Sequence, residues 1–163
     1  MSEPISLSIP TQYVARLRRL QQIVRLLDNA IPIPGTKQRV GLDPILGLIP
    51  GGGDTLSAAL SGYIIVEAAL MGLPRRTLLR MVGNLLLDTA VGSVPMLGDL
   101  FDVAFKANVK NLAAIETHLN SPQSSCKADK LFIALLIIGL ILFALAVGSI
   151  TVLIINAIGS LWR

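Results

Sequence analysis

Four aspartates, Asp43, Asp54, Asp88 and Asp99, interrupt apolar stretches of the chain at a repeated spacing. Leu42-Asp-Pro-Ile-Leu-Gly-Leu-Ile-Pro-Gly-Gly-Gly-Asp54 and Leu87-Asp-Thr-Ala-Val-Gly-Ser-Val-Pro-Met-Leu-Gly-Asp99 are two copies of one pattern, offset by 45 positions. Leu, Asp, Gly, Pro, Gly and Asp match position for position. Carboxylates around a Pro-Gly break in greasy sequence are costly and need a reason. As metal ligands the four aspartates offer only oxygen, which suits a hard cation such as Mg²⁺ or Ca²⁺, or protons. Helix capping competes with that reading. Asp54 and Asp99 each follow glycine where a helix should begin, and a carboxylate there accepts from free backbone N–H groups, worth about 1 kcal/mol. Asp43 precedes Pro44, which fits a cap followed by proline at the first helical position. Asp88 falls within Leu85-Leu-Leu-Asp-Thr-Ala-Val91, inside a helix, where capping is not available.

Arg80, Asn84 and Asp88 are spaced by four and line one helix face as a polar stripe. Glu67, on the preceding helix, is about as far from the Pro74 bend as Arg80, so the two are expected to pair. The four side chains form either a structural ladder that fixes helix packing or a proton or cation relay ending at the tip carboxylates. Nothing else in the chain suggests catalysis. His118 is the only histidine and Cys126 the only cysteine, so no zinc spacing and no internal disulfide is available. Pro50-Gly-Gly-Gly53 lacks the Lys-Ser/Thr of a phosphate loop. The expectation is a non-enzyme without a cofactor.

The elements that must position these residues are helical and apolar. Hydrophobic residues make up 53% of the 163 residues and charged residues 15%. Mean hydropathy is +0.70. An ordinary soluble domain has about a quarter of its residues charged. Leu131 to Leu161 carries no charge and exceeds the roughly 20 residues a bilayer span needs. As a straight helix that run reaches about 46 Å, so either one tilted helix or a bend at Gly148-Ser149 is open. Thr11 to Asn29 reads as an amphipathic helix. Val14, Leu17, Leu20, Ile23, Val24 and Leu27 form one side, with Arg16, Arg18, Arg19 and Arg25 elsewhere. It either lies on an anionic membrane or packs against the protein. Asp54 to Gly72 and Arg75 to Val94 should be helices joined by a tight Gly72-Leu73-Pro74 turn, and Asp99 to Leu119 a third.

The organisation expected is an amphipathic basic helix (1–30), a duplicated helical core (31–119), a linker (120–130) and a C-terminal transmembrane anchor (131–163). Lys37 and Arg39, then Arg75, Arg76 and Arg80, then Lys106 and Lys110 flank the two copies. If all three clusters are cytoplasmic, each copy enters and leaves by the same face. The fold class is therefore an all-α membrane protein. It has a duplicated broken-helix hairpin core, re-entrant or interfacial, plus one C-terminal transmembrane helix. The net charge of +4 belongs to the membrane flanks, and no recognition helix suggests nucleic acid.

The stretch from Ile33 through Pro34-Gly-Thr-Lys-Gln-Arg-Val-Gly to the first copy resembles the bacterial domain-of-unknown-function family numbered 4112. Val94-Pro-Met-Leu-Gly-Asp-Leu-Phe-Asp-Val-Ala-Phe-Lys-Ala-Asn108 is similar to that family's second signature. The resemblance covers about Leu27 to Leu119 and implies a small membrane-associated helical domain without an established activity. The C-terminal anchor lies outside it, which looks like the arrangement in cyanobacterial members. Two functions follow as expectations. One is a small non-catalytic membrane protein: a scaffold, assembly factor or subunit whose partners are the bilayer and a membrane protein or further copies of itself. The other is an ion-binding or transport-type protein using Asp43, Asp54, Asp88 and Asp99. The expected location is the bacterial inner membrane, or the thylakoid, with the basic loops cytoplasmic.

Overall fold

A computed structural model describes residues 9–32, 39–41, 53–92, 106–120 and 129–161. Among these residues the fold is all-α, with five helices: α1 (Thr11–Asn29), α2 (Gly53–Leu70), α3 (Arg75–Gly92), α4 (Ala107–Asn120) and α5 (Lys130–Leu161). A two-residue antiparallel pairing of β1 (Ile31–Pro32) with β2 (Arg39–Val40) follows α1. The hairpin tips expected at Pro50–Gly52 and Pro95–Gly98 lie outside the described residues.

Helix periodicity decides what each helix buries. In α1, Leu17, Leu20, Val24 and Leu27 recur at helical spacing and are at most 2% exposed, while Arg18, Arg19 and Arg25 point to solvent. The apolar stripe of α1 thus faces protein. It meets Ile64, Ile65 and Ala68 of α2, Leu78, Met81 and Leu85 of α3, and Ile115 and Leu119 of α4 in one core. Each fully buried leucine or isoleucine contributes about 1.5–3 kcal/mol.

The expected turn between α2 and α3 is present and its hydrogen bonds are complete. Leu73 N–H donates to Ala68 O (3.2 Å) and Gly72 N–H to Ala69 O (3.0 Å), with Gly72 at φ 86°. This is a Schellman closure, which satisfies the last carbonyls of α2 and needs a left-handed residue after the helix. Pro74 then starts α3, its carbonyl accepting from Thr77 and Leu78. Gly72→Ala should lower stability by about 1 kcal/mol, read as a shift in thermal unfolding of purified protein. An unchanged melting curve would refute the requirement for positive φ.

Cross-helix contacts give every helix its direction. Arg16 of α1 reaches Glu67 near the end of α2, while Asp28 of α1 reaches Asn108 at the start of α4. Gln21 meets Glu116 in between, so α1 and α4 run antiparallel. One end of the bundle carries the α2–α3 turn; at the other end α1 stops and α4 begins. Helix α5 starts at the turn end, where Arg75 binds Asp129 at 2.9 Å and its guanidinium lies 5.1 Å from the Phe132 ring. It then descends along α2. A Cβ built on Gly62 would sit 3.7 Å from Leu140, and one on Gly148 only 2.4 Å from Thr55.

Of the two shapes open for the C-terminal run, the structure has one continuous helix, Lys130–Leu161, and it packs along α2. Phe132, Leu136, Leu140, Phe143, Val147 and Thr151 form a half-buried stripe along it. Arg75 and Lys106 lie at opposite ends of the bundle: Arg75 opens α3 at the α2–α3 turn, and Lys106 precedes α4 beside the end of α1.

Candidate functional site

The polar chemistry of the described residues is concentrated at the far end, where α1 stops and α4 starts. Asp28 follows Leu27 on the buried stripe of α1 and is itself 7% exposed. Its Oδ1 accepts from Asn108 Nδ2 at 2.8 Å and its Oδ2 from the Val109 N–H at 2.9 Å. The first N–H groups of a helix have no partner within it and carry partial positive charge, so an anion is stabilised there. Asp28 supplies that anion from a helix about 80 residues earlier in the chain. Lys106, just before α4, donates to the Asn29 Oδ1 and ties the same two helix ends together.

A second polar contact lies one turn along α4. Asn84 Nδ2 of α3 donates to Asn111 Oδ1 at 2.8 Å, and Asn111 Nδ2 donates to the Met81 carbonyl at 3.3 Å. Asn108 and Asn111 are 1% and 0% exposed, so these bonds are shielded from water and leaving one unmade would be costly. On the other side of α4, Gln21 donates to Glu116 at 2.9 Å. The seam thus sews α1 and α3 to the two flanks of α4.

Asn108 Oδ1 is the one buried side-chain polar atom among the described residues without a hydrogen-bond partner. It lies on the amide that binds Asp28. Burial pushes the Asp28 carboxyl above its ordinary 3.8; the bonds from Asn108 and Val109 and the charge of Lys106 pull the other way but do not cancel it. A neutral Asp28 could donate to the Asn108 oxygen if the amide turned over. The sign of the pH effect follows. Between 3.8 and the raised native value the folded state holds this proton and the unfolded state has lost it. Asp28 therefore contributes stability at low pH that is lost as pH rises through its native pKa. Relative to Asp28→Asn, the wild-type protein should lose stability with rising pH over that acidic window. Urea unfolding of both proteins at several pH values checks this, and parallel stability curves would contradict it.

The residues singled out in the sequence are distributed differently. Asp43 and Asp99 lie outside the described residues. Asp54 is the second residue of α2, and its side chain is likewise outside them. Asp88 is half-buried on α3, one turn from Asn84, while Arg80 is exposed. Glu67 does not pair with Arg80: its carboxylate accepts from Arg16 at 3.5 Å and from the Tyr63 hydroxyl at 3.1 Å. Equal distance from the bend placed Glu67 and Arg80 at one height. Helix phase then turned Glu67 toward α1 and Arg80 toward solvent. Of the ladder, Asn84 joins the buried seam through Asn111. No group of three His, Cys, Asp or Glu side chains converges among the described residues.

Asp28, Asn108 and Asn111 were not singled out from the sequence. The signal was present: Asp28 is four residues after Val24 and one after Leu27, on the stripe itself. Asn108, Asn111 and Ile115 fall at i, i+3 and i+7.

Among the described residues the fold and this seam define an all-α, polar-stitched helical bundle with one helix, Lys130–Ile154, long and apolar enough to cross a membrane. The chain belongs to the family described as domain of unknown function DUF4112, whose model matches residues 16–119. The match spans α1 from Arg16 to the last turn of α4, so the seam is internal to the family domain and α5 lies beyond it. No curated protein and no solved structure matches the chain.

Proposed function

We propose that this protein is a non-catalytic membrane module: a scaffold, assembly factor or small subunit held at the bilayer by α5. The observation that carries the reading is the outer face of α5. Leu131, Leu135, Leu142, Leu145 and Leu153 are each more than half exposed, in a helix whose mean hydropathy over Lys130–Ile154 is 3.1. A core helix of a soluble bundle would bury such side chains; lipid accommodates them. The polar groups of the seam support the non-catalytic part. Asp28, Asn84, Asn108 and Asn111 are engaged in holding helices to one another, with no nucleophile beside a base. Arg75, Arg76, Arg80 and Lys130 at the turn end fit a cytoplasmic side in a bacterial inner membrane. The partners are the bilayer and a second membrane protein or another copy of the chain.

Carbonate extraction followed by in-membrane crosslinking tests this. The protein should stay in the membrane pellet and crosslink to one stoichiometric partner. Release into the supernatant, or a monodisperse uncrosslinked monomer, would refute it.

The alternative is ion binding by Asp43, Asp54, Asp88 and Asp99. It is favoured by one feature: α2 starts and α3 ends at the far end of the bundle, so both motif copies lead off from the same end. Thermal stabilisation by Mg²⁺ or Ca²⁺, abolished by Asp54→Asn with Asp99→Asn, would support it. No shift with either cation would dispose of it.

A further inference from the structure

The bilayer contact does not stop at α5. Arg75 is the first residue of α3 and touches Asp129 and Phe132 at the start of α5. Arg75, Leu79, Val82 and Leu86 fall at i, i+4, i+7 and i+11, a single helix face, so the face that begins against α5 continues down α3. Leu79 is 59% exposed and Leu86 46%. On the other flank of α5, Leu56, Tyr63 and Leu70 recur every seven residues along α2, and all three are exposed. Helix α5 packs along α2 and meets α3 at Arg75, and all three helices carry exposed apolar side chains, more than the scattered leucines of an ordinary surface. The opposite half is largely polar: Arg18, Gln22 and Arg25 face outward on α1 with Leu26 among them, and Lys110, Thr117 and Asn120 on α4.

We infer that the family domain itself is a lipid-docking module, with acyl chains covering the exposed apolar side chains of α2, α5 and α3 and anionic headgroups bound by the basic collar at the turn end. This rests on the membrane reading above and extends it from one helix to three. Charge complementarity identifies the occupant. Arg75, Arg76, Arg80 and Lys130 gather where α3 and α5 begin, at the head of the apolar face, as a phospholipid leaflet with acidic headgroups requires. A second copy docking through this face in the same membrane orientation would bring the two collars into repulsion. The polar α1–α4 half stays in water, since its arginines facing hydrocarbon would be costly.

Spin labels on single cysteines in the full chain, built on Cys126→Ser and reconstituted in phosphatidylcholine–phosphatidylglycerol vesicles, test the inference. Labels at Leu142, Leu86 and Arg18 are compared for collision with oxygen, which partitions into lipid, and with a water-soluble nickel chelate. Leu142 and Leu86 should favour oxygen several-fold, and Arg18 the chelate. If Leu142 reports lipid but Leu86 reports water, α5 alone is the anchor and the inference is overturned. If Leu142 also reports water, the membrane reading itself falls. A Leu86 label shielded from both reagents, with spin–spin broadening that disappears on dilution with unlabelled protein, would make the occupant a second copy and overturn lipid docking. Spin-labelled phosphatidylglycerol should be enriched over phosphatidylcholine in the protein's lipid shell. Arg76→Gln with Arg80→Gln should cut that enrichment by half or more; an unchanged enrichment would overturn the headgroup assignment.

Discussion

Replacing Asp28 by alanine should destabilise the protein by about 3 kcal/mol, because two buried donors lose their acceptor at about 1–3 kcal/mol each. Asn108 Nδ2 and the Val109 N–H both end on this carboxylate, the first of them in a buried contact. The loss exceeds that of an ordinary exposed cap because Asp28 joins two helices rather than finishing one. Asp28→Asn should fall between alanine and wild type. Its carbonyl can serve one of the donors, while its amide confronts the other. Equilibrium unfolding of the purified protein in mild detergent measures all three. A variant Asp28→Ala that unfolds with wild-type midpoint would remove the seam from the list of what holds the bundle.

Gly41→Ala is the second large effect expected, at about 3 kcal/mol, the upper part of the usual range for overpacking. A Cβ at this position would lie 1.4 Å from the Leu27 carbonyl oxygen and 2.7 Å from the Asp28 Cα. Both are backbone atoms, so no rotamer change relieves the overlap; the segment must lift off α1. That movement would also loosen Asp28 from α4, so Gly41→Ala and Asp28→Ala should be less than additive in the double variant. Additive losses in denaturant unfolding would show that the two contacts are independent. Gly41 follows β2 and immediately precedes the first motif copy, and this contact fastens the entrance of that copy to the end of α1.

Much of the helical layout was legible because it depends on local rules. The 3.6-residue period placed the buried side of α1, the Gly72-Leu73-Pro74 sequence placed the turn, and the uncharged run from Leu131 placed α5. The side chains that join helices were harder to read. Asp28 is a polar residue near a helix end, and only its phase puts it inside. Height alone lets Glu67 pair with Arg80, and Arg16, 51 positions earlier, takes it instead. Nothing local encodes which of two distant helices a polar side chain meets. The packing of α5 on α2 was missed for a related reason. A run apolar on every face gives no phase, so sequence does not distinguish a helix surrounded by lipid from one leaning on protein along half its circumference. Asp43 and Asp99 of the repeated motif lie outside the described residues, and the family match gives them no activity.

The antiparallel lie of α5 along α2 has a consequence for how the chain is made. Residue 70 ends α2 and residue 130 begins α5, so 59 further residues must be synthesised before the covering helix starts to appear. During that interval α2 can pack against α1 and α3, but its α5-facing side, including Ala58 and Gly62, is bare. A segment made well after α2 thus completes the packing of that helix. A nascent chain halted before Lys130 carries an open apolar flank that the membrane or a chaperone must shelter.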